Sequence, residues 1–298
     1  MAPFVFAMPG SEGQGRDLAD RLGAETGVLE TRRFPDGESY IRILSVVAGR
    51  EVVLVCALNR PDDQFLRLVF VARTLRELGA SRITLVAPYL AYMRQDTRFR
   101  SGEAVTSTQF ADLLSREVDR LVTIDPHLHR HKALSEIYAI PAVALHAAPL
   151  LADWIAANVE QPLIIGPDVE SEQWVSDVAG RAGAPHLVLR KARRGDRDVE
   201  IAIPDLGAWA GRHPVLVDDI VSSGRTLIET ARGLAGQGLR APVCVVVHAL
   251  FADDAFAALS RLAERIVSTT TVAHPSNGIS VAGLLADALR DETTRPTT

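Results

Sequence analysis

Two adjacent carboxylates, Asp218 and Asp219, run almost directly into small and hydroxylated residues, and no other stretch of the chain points so clearly toward chemistry. In the segment PVLVDDIVSSGRTL, from Pro214 to Leu227, the apolar run Val215, Leu216, Val217 reads as a strand buried on both faces. The acidic pair closes that strand. Ser222, Ser223, Gly224 and Arg225 follow as a loop, and a helix is expected from Thr226, whose spacing to Glu229 fits a capping box. Small residues let backbone N–H groups turn toward a ligand, and a helix N-terminus carries roughly half a positive charge, so the loop suits a phosphate. Carboxylates beside a phosphate would repel it unless they face groups that want acceptors, such as sugar hydroxyls or Mg²⁺. An acidic pair that only caps the next turn accounts for Asp218 and Asp219 alone, but not for the whole stretch.

Other clusters could also engage charge. Arg94, Arg98 and Arg100 are interleaved with Gln95, Asp96 and Phe99, shortly after an apolar strand ending at Ala87. Ligands of open α/β sheets gather beyond the carboxyl ends of strands, and guanidinium groups grip phosphate oxygens in bidentate fashion. A solvated surface loop explains the arginines equally well. After a strand ending at Ile124 comes Asp125-Pro126-His127-Leu128-His129-Arg130-His131, where alternating histidines could bind a metal as in a zinc hydrolase. The remaining histidines, at 146, 186, 213, 248 and 274, show no matching pattern, so His127, nearest the strand end, is the functional candidate. Arg190, Lys191, Arg193, Arg194 and Arg197 form a basic run with Asp196, Asp198 and Glu200 among and after them. That run is either a solvated loop or a flap that closes over a polyphosphate, bringing Lys191 to the developing charge. Among 32 basic residues only Lys132 and Lys191 are lysines, and a lysine where arginine fills nearly every basic position points to a need for a compact ammonium. Finally, Phe34 precedes the Pro35-Asp36-Gly37 turn and the alternating strand Tyr40 to Ile43, which reads as a hairpin tip; a structural turn accounts for it fully.

The elements that must position these residues alternate strand and helix. Strands are expected at 4–7, 51–57, 83–87, 120–124, 163–165, 187–189, 243–249 and 266–270, and helices at 15–22, 62–78, 106–114, 149–157, 172–182, 226–234, 253–263 and 284–289. Short connections between them make βαβ units, hence an α/β fold with parallel sheets and right-handed crossovers. The second half echoes the first in these units, though not in its letters. With 298 residues there is room for two domains, divided as 1–145 and 146–298. A net charge of −5 argues against nucleic acid as the main partner. Cys56 and Cys244 lie in apolar runs and read as reduced core thiols, and the N-terminal apolar run is too short for a signal peptide or membrane span. A cytoplasmic protein without membrane contact is expected.

In order along the chain stand FPDGE (Phe34 to Glu38), RQDTR (Arg94 to Arg98), DPH (Asp125 to His127), GPD (Gly166 to Asp168), KAR (Lys191 to Arg193) and DDIVSSGRT (Asp218 to Thr226). The last resembles the 5-phosphoribosyl-1-pyrophosphate loop of phosphoribosyltransferases, and the set resembles the ribose-phosphate pyrophosphokinase family over nearly the whole chain. The resemblance implies two similar phosphoribosyltransferase-like domains, each a mainly parallel sheet flanked by helices, with the active site between them and the last helix packing back on the N-terminal domain. It implies Mg²⁺, ATP and ribose 5-phosphate, and a homo-oligomer built from dimers in which a neighbouring copy supplies Phe34, Asp36 and Glu38 to the adenosine. Arg94, Gln95, Asp96 and Arg98 would hold ATP, and His127 and Asp168 would position Mg²⁺ and its bound groups. Asp218 and Asp219 would take sugar hydroxyls and metal, Ser222, Ser223, Gly224, Arg225 and Thr226 would cradle the 5-phosphate, and Lys191 and Arg193 would be catalytic.

The chain departs from the family pattern at Ser222, where many members have Asp, and at Gly224 and Arg225. Its DPH and DRDVEI stretches resemble the archaeal-type branch more than the phosphate-activated bacterial one, so the resemblance does not imply allosteric control by ADP or phosphate. Two other readings stand beside this one: a phosphoribosyltransferase that consumes the diphosphate, which would need only one such domain, and a non-catalytic regulatory partner, which would be expected to have lost Lys191, Arg193, Asp218 or Asp219.

Overall fold

Each half of the chain builds a six-stranded parallel sheet, and both sheets have the same strand order. The computed structural model describes residues 3–128, 130–167, 171–194 and 198–293. They fall into two compact units, one running to Leu145 and taking in Thr270–Ala273 and the chain from Ser280, the other His146–Thr269 with His274–Ile279.

In the first unit the elements are β1 (Phe4–Ala7), α1 (Glu12–Leu22), β2 (Glu25–Thr26), β3 (Leu29–Arg33), β4 (Ser39–Ile43), β5 (Glu51–Val55), α2 (Pro61–Glu77), β6 (Arg82–Ala87), α3 (Thr106–Ser115), β7 (Arg120–Ile124) and β8 (Ala142–Leu145). The second unit has α4 (Ala148–Asn158), β9 (Pro162–Gly166), α5 (Glu172–Ala182), β10 (His186–Val188), β11 (Arg190–Arg194), β12 (Asp198–Ala202), β13 (His213–Val221), α6 (Arg225–Gly236), β14 (Val243–Ala249), α7 (Ala255–Ser260), β15 (Arg265–Thr269) and β16 (Asn277–Ile279). Helix α8 (Ala282–Thr293) returns to the first unit and packs against α1, where the Arg290 guanidinium donates to the Arg21 carbonyl.

The sheets run β2-β1-β5-β6-β7-β8 and β10-β9-β13-β14-β15-β16. In each, an antiparallel ribbon, β3–β4 or β11–β12, is inserted between the second and third sheet strands. The central strands are buried along most of their length, as strands covered on both faces must be: β14 is buried from Val243 to Ala249 and β7 from Arg120 to Ile124. In this strand order the winding reverses between β1 and β5 and between β9 and β13, where the connections leave the sheet in opposite directions and open a crevice at the carboxyl ends.

Four local expectations need correction. Strand β13 does not stop at Val217 but carries Asp218 and Asp219 on to Val221, because β14 stays buried to Ala249 and pairs as Asp218↔Val246, Ile220↔His248 and Val221↔Ala249. The capping box of Thr226 and Glu229 is not formed, since Gly224 takes the N-cap at φ 64° and the helix starts at Arg225, which puts Thr226 inside the first turn. The run from Arg190 to Arg194 is strand rather than loop, in register with Asp198–Ala202. Helix α7 starts later than expected, at Ala255, because Phe251 and Asp253 hold left-handed φ values of 30° and 52° just before it, and it ends at Ser260.

Candidate active site

Strand β13 pairs with β9 only as far as Leu216, and from Val217 onward its ladder continues with β14. Asp218 and Asp219 lie on this overhang, half-buried, at the carboxyl end of the strand bordering the crevice of the second unit. Successive strand residues face opposite sides of the sheet, so the pair presents acceptors in two directions. The Asp219 N–H donates to the Asp218 Oδ1 at 3.0 Å, which fixes the Asp218 carboxylate against its own backbone.

Ser222 to Thr226 follow. Gly224 adopts a conformation that costs a residue with a Cβ, and no side chain caps the helix it opens. The first N–H groups of α6 therefore keep the partial positive charge and donor capacity of an uncapped N-terminus. The loop is braced from behind: the N–H groups of Leu250 and Phe251 donate to the Val221 carbonyl at 3.0 and 2.9 Å, and that of Ala252 to the Ser222 carbonyl at 3.0 Å. Ser223 and Arg225 are exposed, Ser222 and Thr226 half-buried. The second unit thus brings Asp218, Asp219 and Ser222 to Thr226 into one strand–loop–helix turn that offers acceptors first and donors next.

In the first unit the loops after the adjacent strands β6 and β7 carry the other charges. Arg130 donates to Asp96 at 2.8 Å and ties the loops together. Thr106 Oγ1 donates to Gln95 Oε1 at 3.1 Å, and the Ser107 N–H reaches the Gln95 carbonyl at 3.3 Å. The Glu103 carboxylate accepts the N–H groups of Phe99 and Arg100 at 2.9 and 3.0 Å, and its carbonyl accepts Arg98 Nε at 2.9 Å. Arg94 and Arg98 remain exposed on this frame. Tyr92, Asp125 and His127 all have left-handed backbones, with φ of 62°, 37° and 54°. Each such residue costs on the order of 1–3 kcal/mol, and such strain gathers where a loop is held for a purpose. The His127 N–H donates to the Asp125 carbonyl at 2.8 Å, while the Tyr92 hydroxyl donates to Asp62, which pushes its pKa up to about 12.

The hairpin tip projects separately. The Phe34 N–H bonds the Glu38 carbonyl at 2.8 Å, Gly37 turns at φ 94°, and Asp36 Oδ1 accepts the Glu38 N–H at 3.2 Å. The guanidinium of Arg32 lies 4.5 Å from the exposed Phe34 ring centroid and 4.3 Å from that of half-buried Tyr40, so the aromatic pair is held by a cation. No hydrogen bond or ion pair among the described residues joins Phe34–Glu38 to Arg94–Arg98. Asp168 lies outside the described residues, as do the side chains of Lys191 and Arg193.

Among the described residues no group of three or more His, Cys, Asp or Glu side chains converges as a metal cage would. Mg²⁺ needs less, since it keeps several waters and takes one or two carboxylates together with substrate phosphates. The half-buried oxygen donors of Asp218 and Asp219 fit that requirement. The imidazole of His127 suits softer cations and is better matched to a phosphate oxygen than to direct ligation of Mg²⁺. Sequence reasoning missed Arg130, Thr106 and Glu103. Arg130 stood in the run read for its histidines, and only the juxtaposition of β6 and β7 reveals its partner.

Comparison with known proteins places the whole chain among relatives of one kind. The N-terminal domain of ribose phosphate pyrophosphokinase matches residues 4–117, and the phosphoribosyl transferase domain matches residues 133–271. The ribose-phosphate pyrophosphokinase of Methanothermobacter thermautotrophicus is 34% identical over 290 residues, covering 96% of this chain and 100% of that protein. That of Methanopyrus kandleri is 35% identical over 281 residues, covering 93% and 95%. The crystal structure of phosphoribosylpyrophosphate synthetase from Mycobacterium smegmatis shares the fold, with a TM-score of 0.85 over 98% of this chain and 99% of that chain at 23% identity. On this similarity, spread over nearly its full length and both units, the chain belongs to the ribose-phosphate pyrophosphokinase family.

Proposed function

We propose that the chain transfers the β,γ-diphosphoryl unit of ATP to the C1 hydroxyl of ribose 5-phosphate, giving 5-phosphoribosyl diphosphate and AMP. The observation that carries this reading is the turn at the end of β13, where overhanging carboxylates precede an uncapped helix N-terminus. A sugar bearing hydroxyls at one end and a phosphate at the other is complementary to that order of acceptors and donors. In this reading Ser222 to Thr226 hold the 5-phosphate and Asp218 and Asp219 accept hydrogen bonds from the ribose hydroxyls.

The first unit takes the nucleotide. Arg94, Gln95 and Arg98 meet the polyphosphate, Asp96 keeps Arg130 and the two loops in place, and His127 donates toward the transferring group. Phe34, Asp36 and Glu38, all exposed at their hairpin tip, reach the adenosine of a second copy, so the working form is a homo-oligomer built from dimers. Lys191 and Arg193 bring cations to the charge that spreads over the phosphoryl oxygens. Asp218 and Asp219, with Asp168, would hold Mg²⁺, which supplies charge neutralisation on the phosphates when bound. No covalent enzyme intermediate is required, because in-line phosphoryl transfer is governed mainly by alignment and electrostatics. A cytoplasmic setting fits two free, buried cysteines and, among the described residues, no helix long and apolar enough to cross a membrane.

The test is incubation of the purified chain with Mg·ATP and ribose 5-phosphate, followed by ³¹P NMR. AMP and 5-phosphoribosyl diphosphate are expected in equal amounts. No AMP with ribose 5-phosphate, but release of diphosphate from added 5-phosphoribosyl diphosphate in the presence of a nucleobase, would replace the proposal with the transferase reading.

A further inference from the structure

The loop that braces the phosphate turn, from Leu250 to Asp254, is itself under strain. Phe251 and Asp253 are non-glycine residues at φ 30° and 52°, so the loop holds its shape only if its surroundings impose it. Its N–H groups at Leu250, Phe251 and Ala252 are the ones that grip the Val221 and Ser222 carbonyls. Two rings close on the Phe251 side chain: Phe256 at 5.2 Å and the His274 imidazole, stacked at 4.9 Å with an interplanar angle of 29°. His274 also meets the Phe256 ring edge-on at 4.7 Å.

His274 is anchored to the carboxyl end of β15. Its N–H donates to Asn277 Oδ1 at 3.0 Å, and Asn277 Nδ2 donates to the Ser268 hydroxyl at 2.9 Å and the Thr269 carbonyl at 2.7 Å. The Ser276 N–H donates to His274 Nδ1 at 3.2 Å, and the Ser276 hydroxyl lies 2.7 Å from both Nδ1 and the Ser268 hydroxyl. A backbone N–H can only donate, so Nδ1 is the unprotonated nitrogen and Nε2 carries the proton. Burial lowers the pKa of this histidine from its usual 6.5, which favours the neutral ring, and the Ser276 N–H selects its tautomer. Ser268 and Thr269 are fully buried. The contacts therefore form a chain from a rigid strand end through Asn277, His274 and Phe251 to the carbonyls of Val221 and Ser222.

We propose that His274 is a positioning residue for ribose 5-phosphate: by stacking on Phe251 from a fixed point on β15, it holds the 250–252 amides against the phosphate loop. This rests on the reading that Ser222 to Thr226 seat the 5-phosphate. Removing the ring releases the brace, so the loop binds phosphate less well while the chemistry, once the substrate is seated, is unchanged.

The experiment compares His274→Ala, His274→Asn and Thr226→Asp by steady-state kinetics, and the two His274 variants by amide hydrogen exchange. Asparagine keeps a planar group and an acceptor at the position of Nδ1. His274→Ala should raise KM for ribose 5-phosphate about ten-fold, leave kcat and KM for ATP within about two-fold, and speed exchange at Leu250 to Ala252. His274→Asn should recover most of both effects, which a misfolded protein would not do. Thr226→Asp puts a carboxylate into the phosphate seat and should raise KM for ribose 5-phosphate whatever His274 does. If Thr226→Asp leaves that KM unchanged, the seat itself is misassigned. If Thr226→Asp raises it but His274→Ala changes neither KM nor exchange at 250–252, the positioning role is overturned and the seat stands.

Discussion

Arg130 donates to the Asp96 carboxylate at 2.8 Å, and of the two side chains only the arginine reaches solvent, 54% exposed against 6% for the aspartate. The pair clips the loop after β6 to the loop after β7, so the arginines of one and His127 of the other are held on a common frame. Arg130→Ala leaves a buried carboxylate without this partner. Because the arginine is half in water the loss should sit at the low end of the usual penalty, about 1–2 kcal/mol. A lowered thermal midpoint and a several-fold higher KM for ATP are expected, with KM for ribose 5-phosphate unchanged. An unchanged KM for ATP would show that the clip does not serve the nucleotide.

Gly224 offers a cleaner test of the phosphate turn. A Cβ added there would lie 3.5 Å from the Ala255 Cβ and 3.6 Å from the Ile228 Cδ1, which are ordinary contacts, so Gly224→Ala meets strain rather than collision. Holding alanine at φ 64° costs roughly 1–2 kcal/mol, and part of that can be relieved by shifting the loop. A modest loss in chemical denaturation should accompany an increase in KM for ribose 5-phosphate of about ten-fold. Loss of stability with no change in that KM would separate the turn from substrate binding.

Much of the scaffold could be read from the sequence because buried parallel strands are almost unbroken apolar runs: Val243 to Ala249 and Arg120 to Ile124 begin and end where expected. The extension of β13 could not be read in this way. Two carboxylates look like a strand end, and what carries the strand onward is the partner register with Val246 to Ala249, fixed by a neighbour far along the chain. The start of α6 was misplaced for a different reason: a capping box can be read from residue types, whereas a left-handed glycine cap is a backbone choice. Arg130 and Asp96 are 34 residues apart, and their meeting follows only from β6 lying beside β7. The charged run at Arg190 has no apolar alternation to betray a strand, since its pairing with Asp198 to Ala202 builds a ribbon and not a core.

Two histidines, His213 buried and His274 half-buried, set the sign of the response to acid. Burial is the main cause lowering the pKa of His213 from 6.5, and the Arg240 guanidinium adds to it. The Glu264 carboxylate, 3.4 Å from Nε2 but 49% exposed, and a hydrogen bond to the backbone of Ala241 only partly oppose the shift. His274 is lowered by burial as well. A histidine whose folded pKa lies below its unfolded one takes up protons preferentially in the unfolded chain, so its contribution is present above pH 6.5 and is lost as the pH falls from there toward the folded pKa. The thermal midpoint should therefore drop between pH 7.5 and 5.5, and His213→Asn should drop less. An identical drop in that variant would assign the acid sensitivity to other groups.

The hairpin tip makes a claim about oligomers. Phe34 is 37% exposed and already paired with Tyr40 and Arg32, so it is organised before any nucleotide arrives. If it serves the site of a second copy, Phe34→Ala and Lys191→Ala chains damage opposite contributions to each site. Mixed after subunit exchange, they should regain about a quarter of the wild-type rate, the share of sites that receive both intact parts in a random mixture of dimers. Failure to regain activity, with exchange verified by mass, would place Phe34 in the site of its own chain.

Lys191 is the second residue of β11, in register with Ile201, and Arg193 is in register with Val199. The ribbon is separate from the six-stranded sheet, so truncating Lys191 should barely affect stability. If its charge meets the phosphoryl group only as the bond to the donor breaks, Lys191→Ala should lower kcat by about 10²–10³-fold and leave both KM values within a few-fold, because an interaction made only in the transition state leaves ground-state binding intact. Lys191→Arg separates charge from shape: a planar guanidinium keeps the charge but spreads it, and where a compact ammonium is needed the rate should still fall about ten-fold. Full rate in Lys191→Ala would remove the lysine from the chemistry, and full rate in Lys191→Arg would leave only its charge.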